Sequence, residues 1–276
     1  MRIFITGGNG FIGKHVVLKA LAQGHEVVGL KRVGAVSWLE ASSQLTWIES
    51  ELDSVPAAVF AKCDAVIHLA AYGVVTGIND WENCFWVNVT QSLRLWRAAA
   101  DEGIKRFVIC GSCFEYGRSG ERYDFIPVDA PLEPTGAYHS SKAAATMAAL
   151  GLAVERKLEL IILRPFHVYG EGEDASRFWS SLRKAAIAGE DFSMTKGEQI
   201  RDFVTVESVA MAFMTAITEQ IESGEPRIQN VGSGIPQSLI GFAIKWWKYW
   251  NGKGKILAGK IPYRPNETMR YTANIK

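Results

Sequence analysis

Residues 2–13 read RIFITGGNGFIG, an apolar run that passes straight into a glycine-rich turn and then into an amphipathic stretch. A buried strand ending in Gly7, Gly10 and Gly13 leaves few folds open. The three glycines allow a tight turn, a close backbone approach to a bound group, and close packing of helix on strand. The helix that follows, opening at Phe11 and Ile12, points its unpaired N–H groups and positive dipole end at the same place, an arrangement suited to a pyrophosphate. A glycine pattern alone is weak. Between a first strand and an amphipathic helix it predicts a dinucleotide site.

The rest of the chain fits that start. Apolar runs at 2–6, 26–30, 46–49, 65–69, 106–110 and 158–163 alternate with helical patterns at 13–23, 55–61, 81–102 and 138–156. Near-continuous apolar strands separated by helices imply a parallel sheet covered on both faces. Right-handed crossovers then make the fold α/β and doubly wound. After Gly170 the rhythm changes: helix at 176–188, short strands near 192–195 and 199–205, helix at 206–221, strand at 227–231, Trp-rich helix at 237–251. The expected division is a dinucleotide domain of residues 1–170 with about 225–240, and a smaller C-terminal substrate lobe of 171–224 and 241–276. The aromatic cluster Trp246-Trp247-Lys248-Tyr249-Trp250 is expected to pack between lobes rather than to serve a partner.

Bulk properties exclude several classes. The 276 residues carry a formal net charge of +1 and no dense Lys/Arg cluster, which argues against nucleic acid as a partner. Four cysteines in a chain this long do not form a disulfide framework pattern. The chain opens on a strand without a signal-peptide pattern, and no run of about 18 apolar residues would span a bilayer. A cytoplasmic protein with no membrane segment is the expectation.

The end of the second strand chooses the dinucleotide. NAD proteins usually place an acid there, about 20 residues past the glycines, on the adenosine ribose. This chain has Val28-Gly29-Leu30-Lys31-Arg32. Two cations and no acid favour a 2′-phosphate, hence NADP(H) over NAD(H).

Tyr138 and Lys142 stand four apart in YHSSK, one turn along a helix face. An ammonium beside a phenol stabilises the phenolate and would lower its pKa, making Tyr138 a candidate acid or base at a carbonyl or hydroxyl. Ser112 sits at a strand end in GSCFEYG. There Cys110 and Cys113 formally make C-x-x-C. No second ligand pair at zinc spacing accompanies them, and Cys110 lies inside a strand rather than at a helix N-terminus, so a metal or redox pair is disfavoured and no metal is expected.

These residues carry a resemblance. With TGGNGFIG at 6–13, HLAA at 68–71, Asn88 in NVTQSL, GSCFEYG at 111–117, YHSSK at 138–142, RPFHVYG at 164–170, RDFVTVESVA at 201–210, VGSG at 231–234 and RPNE at 264–267, the chain resembles the extended short-chain dehydrogenase/reductases of the NDP-sugar epimerase, dehydratase and reductase group. The resemblance spans nearly the whole chain. It implies a Rossmann-type domain with a nucleotide-sugar substrate and a homodimer built from the helices at 81–102 and 138–156. Tyr138 would be the acid/base, Lys142 would hold the nicotinamide ribose, and Ser112 would bond the reacting oxygen. Leu69, Ala70, Ala71 and Asn88 would line the dinucleotide, with Glu51 and Leu52 near the adenine and Pro165 to Val168 beside the nicotinamide. His167 and Cys113 would face the substrate, Phe192 its base, and Arg201 and Arg264 its diphosphate, a task suited to the guanidinium fork. Members of the group also continue for a helical segment past the stretch that matches Tyr271–Lys276.

Departures from the group narrow the reaction. Its 4,6-dehydratases carry Asp-Glu directly after the Ser/Thr; here Cys113 and Phe114 stand there and cannot eliminate water. Two reactions remain: reduction of a nucleotide-linked 4-keto-6-deoxyhexose, with hydride to C4 and a proton from Tyr138, or 4-epimerisation through NAD. The motifs and the basic strand end favour reduction. A non-catalytic NADP-sensing regulator is the other class, and such proteins usually lack the Tyr or the Lys.

Overall fold

A computed structural model describes residues 1–74, 79–264 and 267–275. In chain order it begins β1 (Arg2–Thr6), α1 (Phe11–Ala22), β2 (Glu26–Lys31), β3 (Leu45–Glu49), α2 (Ala57–Phe60), β4 (Ala65–His68), α3 (Trp81–Phe85), α4 (Ser92–Asp101), β5 (Arg106–Cys110), α5 (Ala137–Arg156) and β6 (Glu159–Pro165). It continues with β7 (His167–Tyr169), α6 (Phe178–Ala188), β8 (Phe192–Met194), β9 (Ile200–Thr205), α7 (Val206–Thr218), β10 (Arg227–Val231), β11 (Pro236–Ser238), α8 (Leu239–Tyr249), β12 (Ile256–Ala258) and β13 (Arg270–Tyr271).

Seven strands pair in the order β10-β6-β5-β4-β1-β2-β3, every pairing parallel. Side chains alternate along each strand, so the sheet has two buried faces. Ile3, Ile5, Val27 and Ile67 meet Val16, Val17 and Ala20 of α1 and Val209, Phe213 and Ile217 of α7. Phe4, Val28, Val66 and Phe107 meet Leu95, Trp96 and Ala99 of α4 and Ala145, Ala149 and Leu152 of α5 on the other side. The strand order reverses between β1 and β4, which opens a crevice at the carboxyl ends of those strands.

Two boundaries differ from the sequence expectation. The helix expected at 81–102 is broken by a π-helical turn over Trp86–Gln91, between α3 and α4. That turn brings Asn88 and Gln91 to buried positions, and such bulges recur beside functional sites. Helix α7, assigned by pattern to the substrate lobe, packs instead on the main sheet, because Val209, Ala210, Phe213, Met214 and Ile217 make it one more core-facing helix.

The remaining elements lie beyond the strand ends. β9 pairs with β7, β11 and β13, and β8 pairs with β12. Helices α6 and α8 pack through Leu182, Ala186, Ala243 and Trp247. Trp246 of the aromatic cluster stacks on Trp250 and meets Trp179 and Phe242 edge-on, while Tyr249 is exposed. Of the RPNE motif, Pro265 and Asn266 lie outside the described residues.

Candidate active site

The first strand end builds a cradle. Gly7 has φ +70°, and a Cβ there would lie 2.7 Å from the Ala70 nitrogen; a Cβ on Gly13 would lie 2.0 Å from the Gly7 carbonyl oxygen. No side chain can occupy either position. Gly10 is the N-cap of α1 and supplies no side-chain cap, so the N–H groups of Phe11, Ile12 and Gly13 stay available to an anion. The residues present therefore fit a dinucleotide pyrophosphate.

A buried relay ties this cradle to the neighbouring strand. Thr6 Oγ1 accepts from the backbone nitrogens of Leu69 and Ala70, both at 3.1 Å, which fixes the loop leaving β4 against the glycine turn. Its own proton then goes to His68 Nδ1 at 3.0 Å, and His68 Nε2 faces Ser92 Oγ at 3.1 Å. Burial, then the charge of Lys142, pushes the His68 pKa down to about 3, so the ring is neutral and serves as structure. Asn88 is also structural: it is buried, accepts from Tyr72 N at 2.7 Å, and donates to Tyr72 O at 3.0 Å and Ser141 Oγ at 2.9 Å. Its amide orients the loop after β4 and the start of α5.

At the end of β5, Ser112 caps the turn Cys113–Glu115, and its hydroxyl accepts from Phe114 N at 3.2 Å. Tyr138 lies in the first turn of α5, and its phenol feels the Ser112 hydroxyl. Lys142 is buried and donates from Nζ to the Cys110 carbonyl at 2.6 Å. The three expected catalytic side chains thus converge on one strand end. The expected lowering of the Tyr138 pKa is corrected: burial, and next the Cys110 thiol, hold the phenol above its ordinary value, and the Ser112 hydroxyl pulls the other way. The Lys142 ammonium is engaged with a backbone carbonyl instead.

One carboxylate holds this arrangement together. Glu115 is fully buried; Oε1 accepts Ser112 N at 2.7 Å, and Oε2 accepts Thr146 Oγ1 at 2.8 Å and Arg164 Nε at 2.9 Å. Arg164 lies over the Tyr116 ring and donates to the Val128 carbonyl. Sequence reasoning passed over both residues. The Ser112-x-x-Glu115 spacing of a capping box was the available signal.

An aromatic cluster follows Ser112. Phe114 stacks on His139 at 4.8 Å and meets His167 edge-on at 5.8 Å, with Tyr271 behind at 6.3 Å. Burial, then the charges of Arg201 and Arg177, keeps His167 neutral, and its Nδ1 is buried without a partner. Cys113 is buried in a small core with Tyr116, Ile126 and Phe166. Burial pushes the Cys110 thiol up to about 11 and the Cys113 thiol higher still, the opposite of what a redox pair needs.

The outer residues vary in how they are held. Arg201 donates to Glu267 Oε1 at 2.9 Å and to the Thr268 carbonyl at 2.6 Å, so its fork is partly engaged within the protein. Arg264 is exposed. Phe192 opens β8 against Phe178. Pro165 ends β6 and Val168 lies on β7. Glu51 is exposed, and Leu52 packs partly against the sheet core. Lys31, expected to be free for a phosphate, is paired with Glu49 at 2.8 Å, while Arg32 is exposed.

A seven-stranded parallel sheet, a glycine cradle at its switch point and a Ser/Tyr/Lys group at the end of β5 define a dinucleotide-dependent enzyme of the short-chain dehydrogenase/reductase type. The chain belongs to the NAD dependent epimerase/dehydratase family, whose model matches residues 3–232. It is 29% identical to a dTDP-6-deoxy-L-talose 4-dehydrogenase (NAD(+)) from Aggregatibacter actinomycetemcomitans, over 98% of each chain. It is 26% identical to a UDP-glucose 4-epimerase from Corynebacterium glutamicum, over 87% of this chain and 77% of that one. Among solved structures, MoeE5 in complex with UDP-glucuronic acid and NAD superposes with a TM-score of 0.88 at 26% identity, over 100% of this chain and 90% of the other.

Proposed function

We propose that this protein reduces the C4 ketone of a nucleotide-linked 4-keto-6-deoxyhexose, using NAD(P)H. The observation that carries this reading is the placement of Ser112, Tyr138 and Lys142 at a strand end that offers no carboxylate for elimination. Cys113 is buried, Phe114 carries no ionisable group, and both oxygens of the nearest acid, Glu115, are occupied. The bound dinucleotide would supply the hydride. Tyr138 would give its proton to the oxygen at C4, Ser112 would hold that oxygen by a second hydrogen bond, and Lys142 would steady the dinucleotide ribose. A high phenol pKa keeps Tyr138 protonated, the state a reductase acid requires. Hydroxyls fixed where charge develops usually contribute the largest share of such catalysis.

The relative from Aggregatibacter, a 4-dehydrogenase by name, supports the same reaction in reverse, since one transition state serves both directions. The competing reading is a 4-epimerase, supported by the Corynebacterium relative. Substrate would lie against Phe114, His139 and His167, with Phe192 on its base and Arg201 and Arg264 on its diphosphate. We further propose a homodimer through α3–α4 and α5, whose Trp81, Trp86, Met147 and Val154 are 49%, 44%, 60% and 60% exposed.

The test is dinucleotide consumption with CDP-, dTDP-, GDP- and UDP-linked 4-keto-6-deoxyhexoses, with products identified by NMR. Oxidation of one dinucleotide per sugar is the expected outcome. Binding without turnover across the panel would overturn it.

A further inference from the structure

Charge is spread unevenly along this chain. None of its 29 acids falls from Pro226 to Arg264, a stretch that holds seven cations. Five of these are lysines: Lys245 and Lys248 on α8, and Lys253, Lys255 and Lys260 after it. The fold does not neutralise them. Ion pairs in this protein are made by arginines and by Lys31, and among the described residues none of the five lysines enters one. Three acids from other segments border them. Asp191 accepts the Lys255 backbone nitrogen at 2.8 Å, Glu198 accepts the Tyr263 hydroxyl at 2.9 Å, and the Glu190 carbonyl lies against Gly254. The lysines remain in excess.

On α8 the lysines share a face with apolar groups. Positions four apart fall on one side of a helix, so Ile244 with Lys248, and Lys245 with Tyr249, form two adjacent outward rows. Ile244 is 55% exposed and Tyr249 75%, whereas Phe242, Ala243 and Trp247 fill the other side of the helix and are buried. Lys245 Nζ lies over the Trp246 ring, 6.0 Å from its centroid. The turn after α8 packs on the end of α6: a Cβ on Gly189 would lie 3.8 Å from the Lys253 Cβ. That end of α6 presents a further apolar side chain, Ile187, 65% exposed. Ammonium groups interleaved with exposed apolar side chains suit the surface of a bilayer, where the apolar groups enter the headgroup layer and the lysines meet anionic lipid. Nucleic acid calls for a different set. The guanidinium fork is the side chain that matches phosphate bidentately, and no arginine lies from Leu239 to Ala258.

We propose that the outward face of α8, with the adjoining end of α6, is a docking surface for an anionic phospholipid bilayer, held by Lys245, Lys248 and Lys253 around Ile244 and Tyr249. Among the described residues no helix is long and apolar enough to cross a membrane, and the attachment is peripheral. Its electrostatic part is screened by salt. The docking surface goes beyond the proposed reduction and is independent of it, since Ser112, Tyr138 and Lys142 lie on other elements.

Co-sedimentation of the purified chain with vesicles tests it, using phosphatidylcholine alone and phosphatidylcholine with about one part in three of phosphatidylglycerol. The unsubstituted chain is expected to bind the anionic vesicles at least tenfold more tightly than the neutral ones, and to be released by about 0.5 M salt. Each lysine at an anionic surface is worth about fivefold in affinity, so Lys245→Gln with Lys248→Gln should weaken binding by about 25-fold. Ile244→Ser with Tyr249→Ser should weaken it by fivefold or more while the salt dependence stays the same. Both pairs lie on the surface and should keep the urea unfolding midpoint; if one pair misfolds, the other still decides. Equal binding to the two vesicle types, binding to neither, or a folded lysine pair variant within twofold of the start overturns the proposal. A duplex DNA probe bound as tightly as the anionic vesicles, with no loss in the Ile244/Tyr249 variant, also overturns it in favour of a nucleic-acid surface.

Discussion

The carboxyl ends of β5 and β2 each carry a carboxylate–cation pair, used to opposite purposes. At β5 the Glu115–Arg164 pair is sealed, with side chains 0% and 2% exposed, and Glu115 takes donors from a turn, from α5 and from β6. At β2 the Lys31–Glu49 pair stands at the surface and fastens only its own loop. A sealed pair fixes geometry and is costly to break, because either partner left alone is a buried unpaired charge. An exposed pair stabilises little and remains free to answer to a ligand. The position of Ser112 is therefore set by folding, whereas the Lys31–Glu49 pair is left where a ligand can meet it.

The largest effect expected at the sealed end is chemical. Tyr138→Phe should lower turnover by about 10²–10⁴-fold, the usual worth of a general acid, while dinucleotide affinity holds; steady-state rates and a binding titration check both halves. Near-normal turnover would remove Tyr138 from the reaction. Arg164→Met should cost about 3–5 kcal/mol in urea unfolding by stranding the Glu115 carboxylate. A loss under 1 kcal/mol would mean the two ends are less different than the burial implies.

His68 gives a smaller, pH-dependent effect. Its pKa is near 3 in the fold against 6.5 as the reference value, so below pH 6.5 the unfolded chain binds a proton that the native chain refuses. Stability from this group is complete above pH 6.5 and falls as the pH drops toward 3. Between pH 7.5 and pH 5 the loss should be roughly 2 kcal/mol from His68 alone, at 1.36 kcal/mol per unit below 6.5. Urea unfolding of His68→Gln at both pH values should show that much less pH sensitivity. At the exposed end, Glu49→Gln should leave the unfolding midpoint where it was. A shifted midpoint would make the pair structural.

How far the sequence could be read follows the same division. The main sheet was legible because each strand is an apolar run and the glycine turn marks its start. Ser112, Tyr138 and Lys142 were legible as a spaced group, and they do converge. What the sequence concealed were contacts between distant segments. Nothing in Lys31 announces Glu49, because the pair exists only through the β2–β3 register. Nothing in the sequence around Asn88 announces the π turn, or the bonds by which its amide ties Tyr72 to Ser141. Helix α7 reads as lobe by its place in the chain and as core by its buried face.

The central claim is that the Ser112–Tyr138 strand end carries net hydride addition at C4. A reduced dinucleotide bearing deuterium at its transferable position, incubated with the 4-keto-6-deoxyhexose panel, tests this most directly. One deuterium at C4 of the product sugar is expected for each dinucleotide oxidised. A sugar interconverted at C4 with no deuterium incorporated and no dinucleotide consumed would contradict it.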